Sequence, residues 1–386
     1  MQKIKPGINR EAWLVRHLFD EAKLKALPTR NGYGDGLVEA GKLNKNIIVL
    51  CADLTESTRS LAFKEVYPDR FVQLGVSEQS MASIAAGMSL AEKIPFISSY
   101  AAFSPGRNWE QIRTTIALQN SNVKIAGAHA GVSVGPDGAT HQMIEDIAIM
   151  RVMPNMRVLI GCDAVEAKKA TLAAASLAGP CYLRFAREKS PVFTTLKTPF
   201  KVGRAETYRF GNDLTIIATG PILYEALLAA QMLSQEHGIE CRVINMHTIK
   251  PFDTKIVVKA AKETGAVVTV EEAQVAGGLG GAVAETLALN NPVPMECVGI
   301  QDRFGESGNP TEVQEGLGLT APFIALAADR VLQRKQGRGV PPIPAHVTAA
   351  KELLEMMQQK VMKEALSRTP KKWGGKKSNN SLKSRT

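Results

Sequence analysis

Glu78 is the acidic residue whose surroundings most favour chemistry. It lies in FVQLGVSEQSMASIAAGMSLA (residues 71–91), where an apolar strand ends near Gly75 and a helix of small apolar residues begins. A carboxylate in the first turn of a helix complements the helix dipole, which is one interpretation. The apolar neighbours favour a second one, because a carboxyl group buried without a partner acquires a raised pKa that suits proton transfer. Both interpretations are open at this point.

The loop AHAGVSVGPDGATHQ (residues 128–142) is a second candidate site and contains His129, Asp137 and His141. It follows an apolar strand, and open α/β sheets bind ligands outside the carboxyl ends of their strands. Histidine can donate a hydrogen bond to a hydroxyl or phosphate group and can move protons near neutral pH. Two alternatives stay open: a zinc site, although no HExxH motif or cysteine pair is present, and purely structural histidines.

Two glycine motifs resemble ligand loops. Gly34-Asp35-Gly36 matches the start of a metal–diphosphate motif that also requires a later asparagine, but residues 47–107 contain none, so we expect a helix there. The GGLGG segment (residues 277–281) lies between a predicted strand and a predicted helix. It lacks the Lys-Ser/Thr of a P-loop and the acidic residue of a dinucleotide fingerprint. We expect it to form a closely packed turn.

Cysteine usage and hydropathy predict a cytoplasmic protein. The five cysteines are odd in number and never form a CxxC pair, so we expect reduced thiols. No apolar stretch is long enough to span a membrane, and no apolar run follows the basic start of the chain as in a signal peptide. The cysteines are Cys51, Cys162, Cys181, Cys241 and Cys297.

The net charge of +10 belongs to one end of the chain. Residues 331–386 contain thirteen Lys and Arg against three Glu, so the preceding residues are electroneutral. We expect an amphipathic helix over residues 347–366 and a disordered tail from Ser367 onward. Such a tail can bind RNA or an acidic partner, or can be solvated without one. Nucleic-acid binding is therefore expected only through this tail.

The remaining sequence alternates between strand and helix patterns, which predicts an α/β fold with parallel sheets. A proline-containing polar segment, EKSPVFTTLKTP, divides the series in two. We therefore expect an N-terminal extension (1–28), a first domain (29–188), a linker (189–199), a second domain (200–330) and the basic tail (331–386). The apolar, β-branched runs of the first domain are 46–51, 71–74, 96–99, 123–128, 157–160 and 181–185.

The order of six motifs resembles the second half of transketolase. The resemblance covers roughly residues 28–330 and implies a thiamine diphosphate-binding-like pyrimidine domain with a parallel sheet, followed by a second α/β domain, the transketolase C-terminal domain. The motifs are ADLTEST (52–58), GVSEQSM (75–81), GPDGATHQMIED (135–146), LRFAR (183–187), VEEAQVAGGLGGAVAE (270–285) and FGESGNPTEV (304–313).

The resemblance implies a role for each candidate residue. Glu78 would hydrogen-bond N1′ of the aminopyrimidine, so that the cofactor removes its own C2 proton. Phe103 would stack on the pyrimidine, with Tyr100 and Trp109 as alternatives. Asp137 would bind the hydroxyl groups of the acceptor, and His141 would contact the reacting end of the donor. The residues implied to hold the sugar phosphate are Arg30, Ser57, His129 and Arg187.

The first half of transketolase, which holds the diphosphate through Mg²⁺ or Ca²⁺, has no counterpart in this sequence. The resemblance therefore implies a split transketolase whose separate N-terminal subunit supplies that half, as an α2β2 assembly. The implied reaction is transfer of a two-carbon ketol unit from a ketose phosphate to an aldose phosphate, as in the pentose phosphate pathway. No metal ligand is expected in this chain.

Three alternatives are weighed against this reading. A 1-deoxyxylulose 5-phosphate synthase is similar around DGATHQ but does not usually have histidine at the position of His129. The β subunit of a 2-oxoacid dehydrogenase lacks the DG-x-TH loop. The third alternative is a non-catalytic RNA-binding protein that keeps the fold and adds the basic tail.

Overall fold

Two β-sheets flanked by helices organise the described part of the chain. The computed structural model describes residues 5–339, so most of the predicted tail, including the helix expected over 347–366, lies outside the described residues. The strands are β1 (Gly7–Ile8), β2 (Lys25–Pro28), β3 (Ile47–Cys51), β4 (Phe71–Gln73), β5 (Ile94–Tyr100), β6 (Lys124–Ala128), β7 (Arg157–Ile160), β8 (Cys181–Arg184), β9 (Lys189–Val192), β10 (Glu206–Phe210), β11 (Leu214–Ala218), β12 (Cys241–Asn245), β13 (Thr248–Lys250), β14 (Val267–Gln274) and β15 (Met295–Ile300).

Helices connect most of these strands, as the predicted alternation requires. The fourth helix continues directly into a π-helical segment, Ile112–Ala117. The helices are α1 (Thr29–Leu43), α2 (Leu61–Val66), α3 (Glu78–Leu90), α4 (Trp109–Gln111), α5 (Asp146–Arg151), α6 (Ala164–Ser176), α7 (Leu223–His237), α8 (Thr254–Thr264), α9 (Leu279–Asn290), α10 (Pro310–Gly316) and α11 (Ala321–Lys335).

The first sheet has the order β13-β7-β8-β6-β5-β3-β4, and all of its strands except β13 are parallel. Its central strands are buried along most of their length rather than at alternate residues, because helices cover both faces. All five residues of β6, for example, are buried. The predicted parallel α/β sheet is confirmed.

The second sheet has the order β1-β10-β12-β11-β14-β15, with a parallel core of β12, β11, β14 and β15. The strand β13 leaves this domain and pairs antiparallel with β7 of the first sheet. One apolar cluster contains both Val132 and Ile144 of the first domain and Ile216 of the second. The two domains therefore share a core as well as a strand pairing.

The GDG motif is helical, as expected, although α1 begins at Thr29, five residues before it. Its glycines are required for close packing. A β-carbon on Gly34 would lie 2.9 Å from Arg59, and one on Gly36 would lie 2.7 Å from Thr171 in α6. The motif therefore allows α1 to approach its neighbours.

The GGLGG segment also has a structural role. The carboxylate of Glu271 accepts hydrogen bonds from the backbone N–H groups of Leu279 and Gly280, both at 2.7 Å. These donors begin α9 and have no partner within the helix. The protein's own carboxylate thus occupies the position that an anionic ligand takes in a nucleotide loop. Burial raises the pKa of Glu271 to about 8, against the effect of its two N–H donors.

Asp163 fixes the segment that joins the domains. One carboxylate oxygen caps α6 through the N–H of Glu166 and accepts from the hydroxyl of Thr194. The other accepts from the N–H groups of Phe193 and Thr194. Residues 189–192, the beginning of the predicted linker, form β9 and pair with β2. Pro191 is tolerated there because a two-stranded sheet consists of edge strands.

We expect Asp163→Ala to lower the free energy of unfolding by about 2–4 kcal/mol, because three buried N–H groups and a hydroxyl lose their acceptor. Asp163→Asn keeps one acceptor oxygen and is expected to fall between Ala and wild type. Urea unfolding followed by circular dichroism measures both. Asp35→Ala, at an exposed position of α1, is the control and is expected to change stability by less than about 0.5 kcal/mol. Equal midpoints for Asp163→Ala and Asp35→Ala would contradict the assignment.

Candidate active site

The candidate residues follow the carboxyl ends of parallel strands. Ser57 follows β3, Glu78 follows β4, Phe103 follows β5 and His129 follows β6. Strand order reverses at β3, since β4 lies on one side of it and β5 on the other. Parallel sheets bind ligands at such a point because the connecting loops diverge there and leave a crevice. The topology thus explains why residues distant in sequence share one edge.

Glu78 is the first residue of α3 and is 1% exposed. The hydroxyl of Ser99 donates to its Oε1 at 3.1 Å, and Nη1 of Arg107 donates to its Oε2 at 3.0 Å. Asn108 donates to its backbone carbonyl at 3.0 Å. The carboxylate is therefore buried, as the sequence indicated, but it has both a polar and a cationic partner.

Arg30, Ser57 and His129 form a second group. Nη1 of Arg30 donates to the backbone carbonyl of Ser57 at 2.7 Å and lies 3.3 Å from Nε2 of His129. A guanidinium group can only donate, so Nε2 is the acceptor and the imidazole proton resides on Nδ1. That Nδ1 is buried without a partner among the described residues. It is therefore a donor that the described residues leave unused.

The charge state of His129 follows from its position. The residue is 1% exposed and has a left-handed backbone, with φ of 56°. Burial first, and then the positive charges of Arg30 and Arg187, lower its pKa to about 3. Burial and the nearby Arg59 and Arg187 also lower the pKa of Arg30. His129 is thus a neutral hydrogen-bonding group among guanidinium groups.

The aromatic residues connect the two groups. Tyr100 stacks on His129 with ring centroids 3.7 Å apart, and Phe103 lies 5.4 Å from His141 edge-on. The guanidinium carbon of Arg107 lies 4.7 Å from the centre of the Phe103 ring. Trp109 differs, because its indole N–H donates to the backbone carbonyl of Ile149 and its ring packs on a core cluster. Tyr100 and Phe103 are therefore the rings near the candidate site.

Arg187 and Asp137 complete the arrangement. Nη1 of Arg187 donates to the carbonyl of Val134 at 2.8 Å and lies 3.5 Å from Oδ1 of Asp137. Both side chains are about 30% exposed, so this pair is accessible to a ligand. His141 is half-buried, and its Nδ1 lies 2.9 Å from the hydroxyl of Thr140. The structure thus brings together the predicted residues, while their individual roles stay predictions.

Comparison with known proteins identifies the family. The model of the transketolase pyrimidine binding domain matches residues 25–192, and that of the transketolase C-terminal domain matches residues 203–324. The chain belongs to the transketolase family. A solved structure described as a split gene transketolase, in an inactive beta4 tetramer, is 44% identical, with a TM-score of 0.75, and the match covers 80% of this chain and 99% of that one.

Two other transketolase relatives differ in length. The 6-deoxy-6-sulfo-D-fructose transketolase subunit of Clostridium sp. (strain MSTE9) is 40% identical, over 82% of this chain and 98% of its own. Human transketolase is 35% identical, over 78% of this chain but 48% of its own. The chain thus matches about half of the human enzyme and nearly all of the bacterial subunit.

Transketolases depend on thiamine diphosphate, and the residues present fit its aminopyrimidine part. The buried carboxylate of Glu78 supplies a hydrogen-bond acceptor, and the half-buried ring of Phe103 supplies an aromatic surface. Arg107 contacts both, since it pairs with the carboxylate and lies over the ring. Within residues 5–339 no group of three or more His, Cys, Asp or Glu is arranged to hold a metal ion. Within the same residues no helix is long and apolar enough to cross a bilayer. The five cysteines are free thiols, as expected.

Sequence reasoning missed the ion pair of Arg107 with Glu78. The only sequence signal was an arginine in segment 103–107, four residues after the candidate Phe103, and its spacing from Glu78 predicts no contact. It also missed Glu272 of β14, whose carboxylate accepts from the N–H of Ser133 at 2.6 Å. Both contacts join segments that are far apart in the chain.

The low pKa of His129 predicts an acid-sensitive contribution to stability. A folded pKa of about 3 against an ordinary value of 6.5 means that the unfolded chain binds the proton more tightly between these values. The stabilisation is present above pH 6.5 and is lost as pH falls toward 3. We expect wild type to lose about 2 kcal/mol more than His129→Gln between pH 7 and pH 5.

Urea unfolding of both proteins at the two pH values measures this difference. The exposed His237 provides the control, because His237→Gln is expected to keep the pH dependence of wild type. Parallel pH profiles for wild type and His129→Gln would show that His129 is not held neutral.

Proposed function

We propose that this chain is the C-terminal subunit of a two-chain transketolase that transfers a two-carbon ketol unit from a ketose phosphate to an aldose phosphate, as in the pentose phosphate pathway. A separate N-terminal subunit would hold the diphosphate of thiamine diphosphate through Mg²⁺ or Ca²⁺. The two chains would assemble as α2β2 in the cytoplasm. The match to only about half of human transketolase supports the need for a partner.

One observation carries this proposal: a buried carboxylate, that of Glu78, and two guanidinium groups, those of Arg30 and Arg187, lie beside the same edge of the first sheet. Glu78 is linked through Arg107 and Phe103 to His141, while Arg30 is linked to His129. A ketose phosphate has a reactive carbonyl at one end and a dianion at the other. Glu78 offers a proton acceptor on the side of His141, where the carbonyl would lie. Arg30 offers a cationic donor on the side of His129, where the dianion would lie.

The chain's own residues would bind the cofactor and the sugar substrates and orient them. Bound thiamine diphosphate supplies a carbanion nucleophile and an electron sink for cleaving the bond beside a ketone. Glu78 would hold a proton at N1′ of the aminopyrimidine, and Phe103, with Tyr100 beside it, would pack against the ring. His141 would contact the reacting end of the donor, and Asp137 would bind acceptor hydroxyl groups.

The anionic end of the sugar would bind among Arg30, Arg187, Ser57 and His129. Guanidinium groups suit it because their forked N–H donors match the oxygens of a tetrahedral anion. The unpartnered Nδ1–H of His129 adds a neutral donor. A sulfonate presents three such oxygens as well, and the relative named for 6-deoxy-6-sulfo-D-fructose makes a sulfosugar the second candidate donor.

The test is ketol transfer from xylulose 5-phosphate to ribose 5-phosphate, with thiamine diphosphate and Mg²⁺, by this chain alone and mixed with its N-terminal partner. A parallel reaction uses 6-deoxy-6-sulfo-D-fructose as donor. We expect transfer only in the mixture. Glu78→Gln should lower kcat by about 10²–10⁴-fold, because the carboxylate that holds the proton is lost.

The exposed Glu110 provides the matched control, and Glu110→Gln is expected to keep wild-type activity. If the complex transfers from both donors, the ratio of their kcat/KM values measures which sugar it prefers. An assembled, cofactor-loaded complex that transfers from neither would contradict the proposal. Pyruvate as donor then tests the synthase and dehydrogenase alternatives, and salt-dependent RNA binding lost on deleting residues 367–386 tests the non-catalytic one.

Arg30→Ala is expected to raise KM for phosphorylated sugars about 10–100-fold with a smaller change in kcat, since a charge-assisted contact to the anion is lost. Arg30→Lys keeps the charge but not the forked N–H donors, so its KM should lie between those of Arg30→Ala and wild type. Steady-state kinetics of the assembled enzyme measures both. Arg16→Ala, at an exposed position, is the control. An unchanged KM in Arg30→Ala would remove Arg30 from the anion site.

A further inference from the structure

The segment that contains His129, Asp137 and His141 (residues 129–142, hereafter the histidine loop) is held at its base within the first domain. The N–H of Gly131 donates to the carbonyl of Met143 at 2.7 Å. The N–H of His141 donates to the carbonyl of Gly138 at 3.0 Å. These contacts close the base of the loop, and Arg187 of the first domain donates to the carbonyl of Val134 near its centre at 2.8 Å.

Glu272, at the carboxyl end of β14 in the second domain, contacts the centre of the loop. It is 3% exposed, and its Oε1 accepts from the N–H of Ser133 at 2.6 Å. Gly131 has a φ of 87°, which favours glycine, and a β-carbon there would lie 2.3 Å from the same oxygen. Arg184 donates to the backbone carbonyl of Glu272 at 2.9 Å and thereby holds this end of β14.

A second contact from the same domain holds the far side of the loop. Nε2 of Gln142 donates to the carbonyl of Glu306 at 2.9 Å and to that of Val132 at 3.2 Å. A β-carbon on Gly138 would lie 2.3 Å from Oγ of Ser307. The far side of the loop is therefore packed against residues 305–310.

We infer that Glu272 is a positioning residue through which the second domain holds the histidine loop, and with it Asp137 and His141, in the geometry that substrate binding requires. This inference rests on the proposed function for the roles of these two side chains. Glu272 itself lies behind the loop, bonded to its backbone, and acts only through it. Gln142 supports the same geometry from the opposite side of the loop.

The neighbouring Glu271 provides a matched control. Both glutamates are buried, adjacent in β14 and bonded to backbone N–H groups, but Glu271 caps α9 whereas Glu272 binds the loop. Removing either carboxylate should release its own set of amides. A general loss of stability would instead affect both sets in both variants.

The first measurement is hydrogen exchange of the full chain without partner or cofactor. In Glu272→Ala we expect amides of residues 131–133 to exchange roughly tenfold faster, with those at the start of α9 unchanged. Glu271→Ala should show the reverse. Glu272→Gln keeps one acceptor oxygen and should fall between Glu272→Ala and wild type. Glu272→Gln, with its intermediate exchange rate, provides the test if Glu272→Ala does not fold, and Gln142→Ala tests the contact on the other side of the loop.

The second measurement is steady-state kinetics of the assembled enzyme. Displacement of Asp137 and His141 by about 1 Å should lower kcat/KM by about 10²-fold in Glu272→Ala, while Glu271→Ala stays near wild type. Unchanged loop exchange in Glu272→Ala overturns the inference, as does a loosened loop with wild-type kinetics. A wild-type complex without transfer activity overturns the proposed function instead, and the exchange data then decide alone whether Glu272 holds the loop.

Discussion

The buried ion pair of Arg184 with Asp146 joins the parts of the molecule on which the site depends. Nε of Arg184 lies 2.7 Å from Oδ2 of Asp146, and the two side chains are 5% and 0% exposed. The same guanidinium group donates to the carbonyls of Met143 and Glu272. It therefore ties β8, α5, the base of the histidine loop and β14 together. Breaking such a pair leaves a buried charge uncompensated, at a cost of about 3–5 kcal/mol.

Buried ionisable groups also give the fold opposed responses to pH. Burial raises the pKa of Glu166 to about 7 and that of Glu271 to about 8, so their contribution to stability declines as pH rises from 4.5 through these values. Burial lowers the pKa of His129 to about 3 and that of His247 to about 4, so theirs declines as pH falls from 6.5. The two effects oppose each other between pH 4.5 and 6.5. Together these four groups favour that range over more acidic or more alkaline solution.

Local patterns were sufficient to predict the parallel sheets and the residues that follow their strands. Glu78 and His129 were found because a polar side chain within a few residues of the end of an apolar strand is visible in the sequence itself. The pairing of β13 with β7 was not predictable, since three residues carry no signal for a partner about ninety positions away. The contacts of Arg107 with Glu78 and of Glu272 with Ser133 were not predictable for the same reason. Each joins distant segments, and no pattern of spacing encodes such a contact.

The contact between Arg30 and His129 sets two properties of the proposed anion site. Arg30 carries a charge that attracts an anion, and its donation to Nε2 fixes the imidazole proton on Nδ1. A protonated His129 would face two guanidinium groups in a buried position, so the neutral form is favoured and only one N–H can serve a ligand. Loss of Arg30 removes a charge and also frees the tautomer of His129. In the proposed function the two side chains would recognise the anion together, so the effects of replacing them should not add.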